Sequence, residues 1–565
     1  MSKKDWYIAG VITLIFAFLV FYRIGSFNAP ITAYTATAEN SDIVLDFGVP
    51  VSLSHLYIFL GPLDNRTFSI SLFDLDKDKW ELLDGEVYAS AVFSWNRINV
   101  PYELRYLGLV AMKGETIINE IVAVAEDGSV IIPYNASDYP ELFDEQEIFS
   151  PLYSATYWGG TMFDEIYHGR SAYEYIHGLK TYETTHPPLG KTLISYGVRL
   201  FGMNPFGWRF ASAVFGILMV PLFYLFGIAL FKNTFAATSV TILIAADCMH
   251  FALSRIATID IFAAFFILLM YYLMLRFVQT NNHGYRHMLT LTIPNRKPIS
   301  ITASHSRVLL GLCGITMGLG IATKWTAIYA GAGLGLIFLW YMINHPPTKF
   351  SKLFFFCTAF FGFIPLLIYI VSYRHFVPGN PGGGLFKTII ENTVHMFSYH
   401  SELEASHYYS TPFFDWPTLH MPLLYATDPV RDNLMSSVNC MGNPAIWWFG
   451  IPCLLFCIYR FLLKEDLRAG FLVAAYLAQY LPWGLISRIT FIYHYFPASL
   501  FLILMIGYVL NMLAKYQPWG KKVAYCYLVF AVIVFFVFYP VISGIPSDRD
   551  YQFSLRWLNE WILVL

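Results

Sequence analysis

Eleven separate runs of this chain are apolar enough, and close enough to 20 residues long, to cross the core of a bilayer, at 6–22, 208–230, 235–253, 257–276, 307–323, 326–343, 351–372, 445–463, 469–486, 495–513 and 523–543. Only 13% of the 565 residues are charged and 56% are apolar, with a mean hydropathy of +0.51. So few charges cannot cover that much apolar surface in water, so lipid is the solvent of most of the chain. In lipid a spanning backbone must satisfy its own polar groups, which selects helices. The sequence therefore predicts a polytopic α-helical membrane protein. The first run follows Lys3 and Lys4, and no small-residue cleavage site stands before Arg23. It reads as a retained anchor instead of a signal peptide. The runs at 307–323 and 326–343 are nearly continuous and rich in Gly.

Lys and Arg favour the cytoplasmic connections. With the N-terminus inside, those connections carry Lys232; Arg276, Arg286, Arg296, Lys297 and Arg307; Lys349 and Lys352; Lys464 and Arg468; and Lys515, Lys521 and Lys522. The expected organisation is a first helix in 1–25, an outer β-sandwich in 26–140 and an outer stretch with interfacial helices in 141–207. Helices two to seven follow in 208–372, a second outer loop in 373–444, and helices eight to eleven with a short outer tail in 445–565. The net charge of −2 excludes an overall basic, nucleic-acid-binding character. Residues 24–150 nevertheless hold 20 of the 38 acids and only 6 of the 36 bases. Six of seven cysteines (Cys248, Cys313, Cys357, Cys453, Cys457 and Cys526) fall in candidate spans, which leaves Cys440 alone outside and no disulfide framework there.

Within the acidic stretch, short alternating runs at 42–46, 55–60, 67–72, 106–111 and 118–124 are separated by turn residues, the signature of a sandwich of about eight strands. The order "DFG…LYIFLG…FSISLFD…SWNRINV…RYLGLVA…INEIVAV" resembles the discoidin-like, galactose-binding jelly roll. Such a module binds carbohydrate, or serves only as a structural or acceptor-docking unit.

Beyond it come "TMFDEIYH", with Asp164 and Glu165, and "YETTHPPLGK", with His186. Adjacent acids in a soluble loop are ordinarily a solvated pair. Here they stand among aromatic residues where the chain nears the bilayer, and desolvation there raises a carboxylate's pKa toward general-base work. Ionisable residues at span ends are snorkelling cations or functional groups. Arg255 and Asp260 in "SRIATID", Lys324 inside a long apolar stretch, and Arg488 followed by Tyr493 and His494 all fall at the expected outer edge. Cations gathered there suit a lipid phosphate. The loop "YHSELEASHYYSTPFFDWP" supplies His400, Glu402 and His407, but in no zinc-type spacing, and there is no Walker or Rossmann glycine pattern. A metal and a soluble nucleotide donor are therefore not expected.

These motifs ("FDE", "HPPLGK", "SRIATID", "ATKW", "YHSELEASHYYSTPFFDWP" and "GNPAIWW") together resemble the protein O-mannosyltransferase family of polyprenyl-phosphate-dependent enzymes, over roughly 155–545. The resemblance implies a GT-C glycosyltransferase fold without a cofactor. It implies an inverting transfer of a hexose, mannose first, from a polyprenyl-phosphate carrier to a hydroxyl, such as protein Ser or Thr, on the extracytoplasmic face of a prokaryotic cell membrane. Asp164 is then the base and Glu165 its tuner or an acceptor-positioning group. Arg255, Lys324 and Arg488 hold the donor phosphate. His186, Asp260, His400, Glu402, His407, Tyr493 and His494 line the sugar and acceptor pocket. Two departures are clear: the β-domain precedes the Asp-Glu motif where typical members have a short connection, and the second outer loop lacks a β-trefoil. A lipid or cell-wall polymer as acceptor fits the same donor chemistry. A lipid-linked sugar transporter fits less well, because the charges cluster at one face and no internal repeat is visible.

Overall fold

A computed structural model describes the chain except residues 37–41, 62–66, 75–77, 83–86, 89–90, 112–115, 282–303, 348 and 381–382. The expected cytoplasmic cations Arg286, Arg296 and Lys297 fall outside the described residues. Helix α1 (Lys3–Phe21) leads into nine strands: β1 (Tyr34–Ala36), β2 (Asp42–Leu60), β3 (Thr67–Asp74), β4 (Lys79–Leu82), β5 (Val87–Tyr88), β6 (Ser94–Asn99), β7 (Glu103–Ala111), β8 (Thr116–Ala125) and β9 (Val130–Ile131).

Strand β2 belongs to two antiparallel sheets. Its first half pairs with β7, which continues to β3 and β4; its second half pairs with β8 and β6. The bend between the halves is a register shift between Asp46 and Val51, with Gly48 at φ 77, a conformation that side-chained residues rarely adopt. Ile43, Leu45, Ile70, Leu107 and Leu109 from one sheet meet Leu56, Ile58, Ile118 and Ile121 from the other in a single core. The second sheet is buried on its other face as well. Tyr57, Phe59, Trp95, Val122 and Val124 join the core of the helical part, with Phe93 against Tyr173 at 5.2 Å and Trp95 against Phe149 at 5.0 Å.

The helical part comprises α2 (Glu165–His177), α3 (Leu189–Phe201), α4 (Pro205–Phe231), α5 (Thr234–Ala245), α6 (Cys248–Ser254), α7 (Asp260–Asn281), α8 (Ser304–Thr323), α9 (Ala327–Asn344), α10 (Phe350–Cys357), α11 (Ile364–Ser372), α12 (Leu385–Glu402), α13 (Pro444–Lys464), α14 (Leu467–Tyr480), α15 (Phe496–Tyr516) and α16 (Gly520–Ser543). A hairpin of β10 (Leu423–Arg431) and β11 (Leu434–Cys440) precedes α13. Among the described residues, nine helices are long and apolar enough to cross a bilayer, or ten if the bent pair α5–α6 is one span. The expected eleventh, at 469–486, is not one continuous α-helix: α14 has 14 residues, about 21 Å, and a 3₁₀ turn (Leu481–Leu485) continues the run.

Local chemistry explains the irregular places. The α5–α6 pair bends by 59°, and the polar groups freed by the break are met by the "GNPAIWW" stretch. Asp247 accepts from the Trp447 indole at 2.9 Å and the Asn443 amide at 3.3 Å, while Asn443 Nδ2 donates to the Ala246 carbonyl at 2.8 Å. The glycines of α8 are packing residues: a Cβ on Gly314 would stand 2.1 Å from the Phe360 carbonyl oxygen in the π-helical turn (Thr358–Phe363) that joins α10 to α11.

Candidate active site

Phe163 sits at φ 46, a strained conformation for a bulky residue. It is held there by its ring, which stacks on Tyr425 of β10 at 4.6 Å and meets Tyr493 edge-on at 6.3 Å. This turn sets Asp164 as the residue capping α2. An aspartate in that position normally spends its carboxylate on the first amides of the helix; Asp164 makes no such bond. The first amides of α2 donate instead to the carbonyls of Met162, Phe163 and Asp164, and Glu165 Oε2 accepts from the Met162 amide at 3.0 Å. Glu165 is fully buried. It also receives Arg209 Nε at 2.7 Å and Nη2 at 2.6 Å, and the Ala257 amide at 2.9 Å.

Asp164 is half-buried and in electrostatic contact with Asp260, Lys324 and Glu183. Burial pushes its carboxyl up to about 7; the Asp260 carboxylate adds to that push and Lys324 opposes it. Asp260, in the first turn of α7, pairs with Lys324 in the break between α8 and α9, at 2.7 Å. Lys324 Nζ stands 5.3 Å from the centre of the Tyr493 ring.

Three imidazoles form one wall. His186 lies 6.0 Å from His168 and 5.3 Å from His400, between ring centres. Glu183 orients this wall. Its Oε1 lies 3.1 Å from His186 Nδ1, and its Oε2 accepts from Lys191, which also donates to the carbonyls of Glu183 and His186 at 2.9 and 3.0 Å. Burial works to raise the Glu183 carboxyl, but Lys191 and His186 outweigh it and hold it well below the usual carboxylate range. Burial drives His168 down to about 3 and His400 to about 4, with His186 and then Arg488 adding to the effect on His400. Both are neutral donor–acceptor rings at any ordinary pH. His400 Nε2 donates to the Thr185 carbonyl at 2.9 Å, and Nδ1 of both His400 and His168 has no partner among the described residues.

Arg488 is half-buried near this wall, and among the described residues it makes one long hydrogen bond, 3.4 Å to the Ile489 carbonyl. His494 packs between Trp483 and Tyr493, each 4.4 Å away. The site thus gathers Asp164, Asp260, Lys324, His186, His400, Arg488, Tyr493 and His494. Two expected members stand at or beyond its rim: Glu402 is exposed at the end of α12, and His407 is exposed against the Phe491 ring at 5.1 Å.

Arg255 is a correction. Its guanidinium is buried at the ends of α1 and α16, donating to the carbonyls of Val20 (2.6 Å), Tyr22 (2.8 Å), Arg23 (2.8 Å) and Ser543 (3.0 Å). It caps helices, and both of its terminal nitrogens are committed to those carbonyls. Glu165, saturated by Arg209, is likewise turned away from Asp164's neighbours. Sequence reasoning missed Glu183, His168 and Arg209. The Glu-x-x-His spacing from 183 to 186 and an arginine inside an apolar helix start were the available signals.

Among the described residues, the one trio of acids whose ligand atoms approach within 4.8 Å of one another is Glu120, Asp144 and Glu145 in the β-domain. Its carboxylates already accept from Gln146, Ile31 and Thr32.

Comparison with known proteins finds two family models. Residues 385–561 match the C-terminal four-span region of protein O-mannosyltransferase, and residues 185–293 match dolichyl-phosphate-mannose-protein mannosyltransferase. The β-strands at 34–131 lie outside both. A polyprenol-phosphate-mannose–protein mannosyltransferase of Mycolicibacterium smegmatis is 27% identical over 466 residues, 73% of this chain and 90% of that protein. One from Mycobacterium tuberculosis is 25% identical, over 73% of this chain and 89% of that protein. In structure, the chain is similar to the Saccharomyces cerevisiae protein O-mannosyltransferase Pmt1–Pmt2 complex bound to the sugar donor, with a TM-score of 0.60 and 16% identity over 71% of this chain and 89% of that one.

Proposed function

From the premise that this chain belongs to the protein O-mannosyltransferase family, with its GT-C membrane fold, we infer that it moves mannose from a polyprenyl-phosphate carrier to a hydroxyl of a protein on the extracytoplasmic face. The observation that carries this reading is Asp164: a carboxylate released from capping duty, with its pKa lifted to about 7, facing Lys324 and sharing Tyr493 as a neighbour with Arg488.

The chemistry follows from those groups. The acceptor Oγ–H gives its proton to the Asp164 carboxylate as Oγ attacks the anomeric carbon. The bond from that carbon to the phosphate oxygen breaks on the opposite side, and the electron pair leaves with the lipid phosphate, so the anomeric centre inverts. Lys324, and Arg488 with its nearly unused donors, stabilise the charge that develops on the phosphate. Asp260 holds Lys324 in place. The neutral wall of His168, His186 and His400 suits sugar hydroxyls: with His400 Nε2 spent on the Thr185 carbonyl its Nδ1 is left as an acceptor, and with His186 Nδ1 turned to Glu183 its Nε2 is left as one. Glu165 positions Asp164 by fixing the start of α2 to Arg209.

The test is transfer by the purified, reconstituted protein from a labelled polyprenyl-phosphate mannose to Ser/Thr peptides, with products identified by mass spectrometry. Asp164→Asn is expected to lower turnover by about 10²–10⁴-fold with donor binding retained, the range for loss of a general base. Turnover within a few-fold of the parent would remove Asp164 as the base. Transfer only to lipid or polysaccharide would remove the protein acceptor.

A further inference from the structure

Helices α7, α9 and α15 each begin at the site (Asp260, Lys324 and His494 stand at or just before their first turns) and end together at a second cavity of about 900 Å³. Helix α7 has 22 residues, about 33 Å, close to the thickness of a bilayer core. The cavity therefore lies at the opposite membrane boundary from Asp164. Among the described residues its charged lining is mostly basic, with Lys232, Arg460, Arg468 and Lys515 and one acid, Asp466. Asp466 is shared, with Arg468 Nη2 at 3.0 Å and Arg460 Nη2 at 3.5 Å from the same oxygen.

The rest of the lining is apolar and opens sideways. Leu336 and Trp340 line the cavity on spanning helix α9 and are 67% and 43% exposed, so its mouth faces hydrocarbon. Deeper in, Gln279 is buried and donates to the Ala229 carbonyl at 2.7 Å, while its Oε1 has no partner among the described residues. An occupant that suits both features brings an anionic group to the cations and an apolar chain to the mouth. Free phosphate brings no such chain.

We propose that this cavity is a binding site for an anionic phospholipid of the leaflet opposite the candidate active site, with its phosphodiester among Arg468, Lys232 and Lys515 and its chain against α9. The donor lipid of the proposed reaction belongs to the other boundary, so the inference stands whether or not that reaction is correct.

Native mass spectrometry of the full-length protein, exchanged in detergent with phosphatidylglycerol or phosphatidylcholine, tests it. The expected result is one phosphatidylglycerol retained per chain under conditions that strip phosphatidylcholine. Replacing the two exposed cations (Lys232→Gln with Lys515→Gln) is expected to cut that retention by about tenfold or more. Leu336→Trp, which fills the mouth and leaves every charge in place, is expected to cut it as well. Unfolding temperatures without added lipid should stay at the parent value, because the three positions are exposed. Equal retention of phosphatidylcholine, full retention in either variant, or stripping of the lipid by millimolar inorganic phosphate would each overturn the proposal.

Discussion

A carboxylate that already accepts two guanidinium bonds and two amide bonds, as Glu165 does, has little capacity left for a substrate proton. Asp164, one residue earlier, has that capacity, and its raised pKa gives a pH signature. On the proposed assignment Asp164 works only when ionised, so transfer at saturating donor is expected to fall as pH drops through about 7, approaching tenfold per unit below it. His168 and His400 are neutral across that window and do not contribute the limb. A profile flat from pH 5 to 8 would assign the proton to another group. The two arginines separate in the same way. Arg488→Gln is expected to lower kcat/KM at least tenfold with the unfolding temperature unchanged. Arg255→Met, which strands helix-end carbonyls, is expected to destabilise by about 2–5 kcal/mol, read as thermal unfolding in detergent. The sequence alone cannot tell these two apart, since an arginine at a helix end looks the same whether it faces carbonyls or solvent. Asp164 and Lys324 were legible because a charge beside an apolar stretch is rare enough to need a reason.

At the scale of elements, helix α2 is held to α4 by the Glu165–Arg209 pair, in which both side chains are fully buried. Breaking one partner of such a pair leaves an unpaired buried charge and costs about 3–5 kcal/mol. Glu165→Gln is therefore expected to lower both stability and turnover, whereas Asp164→Asn lowers turnover alone; comparing unfolding curves with rates for the two variants checks the distinction. Hydropathy located the spans well because each is a continuous apolar run, including α8 and α9, which Lys324 and Trp325 separate. The run at 469–486 is the least regular: α14 ends at Tyr480, and the 3₁₀ turn that Pro482 begins completes the passage from Arg468, at the second cavity, to Trp483, beside His494. Pattern cannot show where, inside such a run, an α-helix gives way to a tighter turn.

For the whole molecule, the informative strands are β2 and β8. Their sequences, "HLYIFL" and "IINEIVAV", keep only a weak alternation, because one face packs on the β7–β3 sheet and the other on the helical part. A sandwich with one solvated face would show polar residues at every second position. The loss of alternation was visible in the sequence, but it does not name the surface that covers the second face. This packing bears directly on whether the β-domain is a separable module. Removing 28–135 would uncover the apolar surface of the helical part that Tyr57, Phe59, Phe93 and Trp95 now cover, Phe149 and Tyr173 included. At about 1.5–3 kcal/mol for each large side chain exposed, those two alone amount to roughly 3–6 kcal/mol. That is a large part of the net stability of an ordinary domain, about 5–15 kcal/mol. The truncated chain is therefore expected to lose its monodisperse size-exclusion peak after detergent extraction, and with it activity. A milder change, Phe93→Ala at the Tyr173 contact, is expected to lower the unfolding temperature while leaving the pH profile of the residual activity in place. A truncated chain that stays monodisperse and transfers mannose at the parent rate would mean that the sheet merely rests on the helices and that their core closes without it.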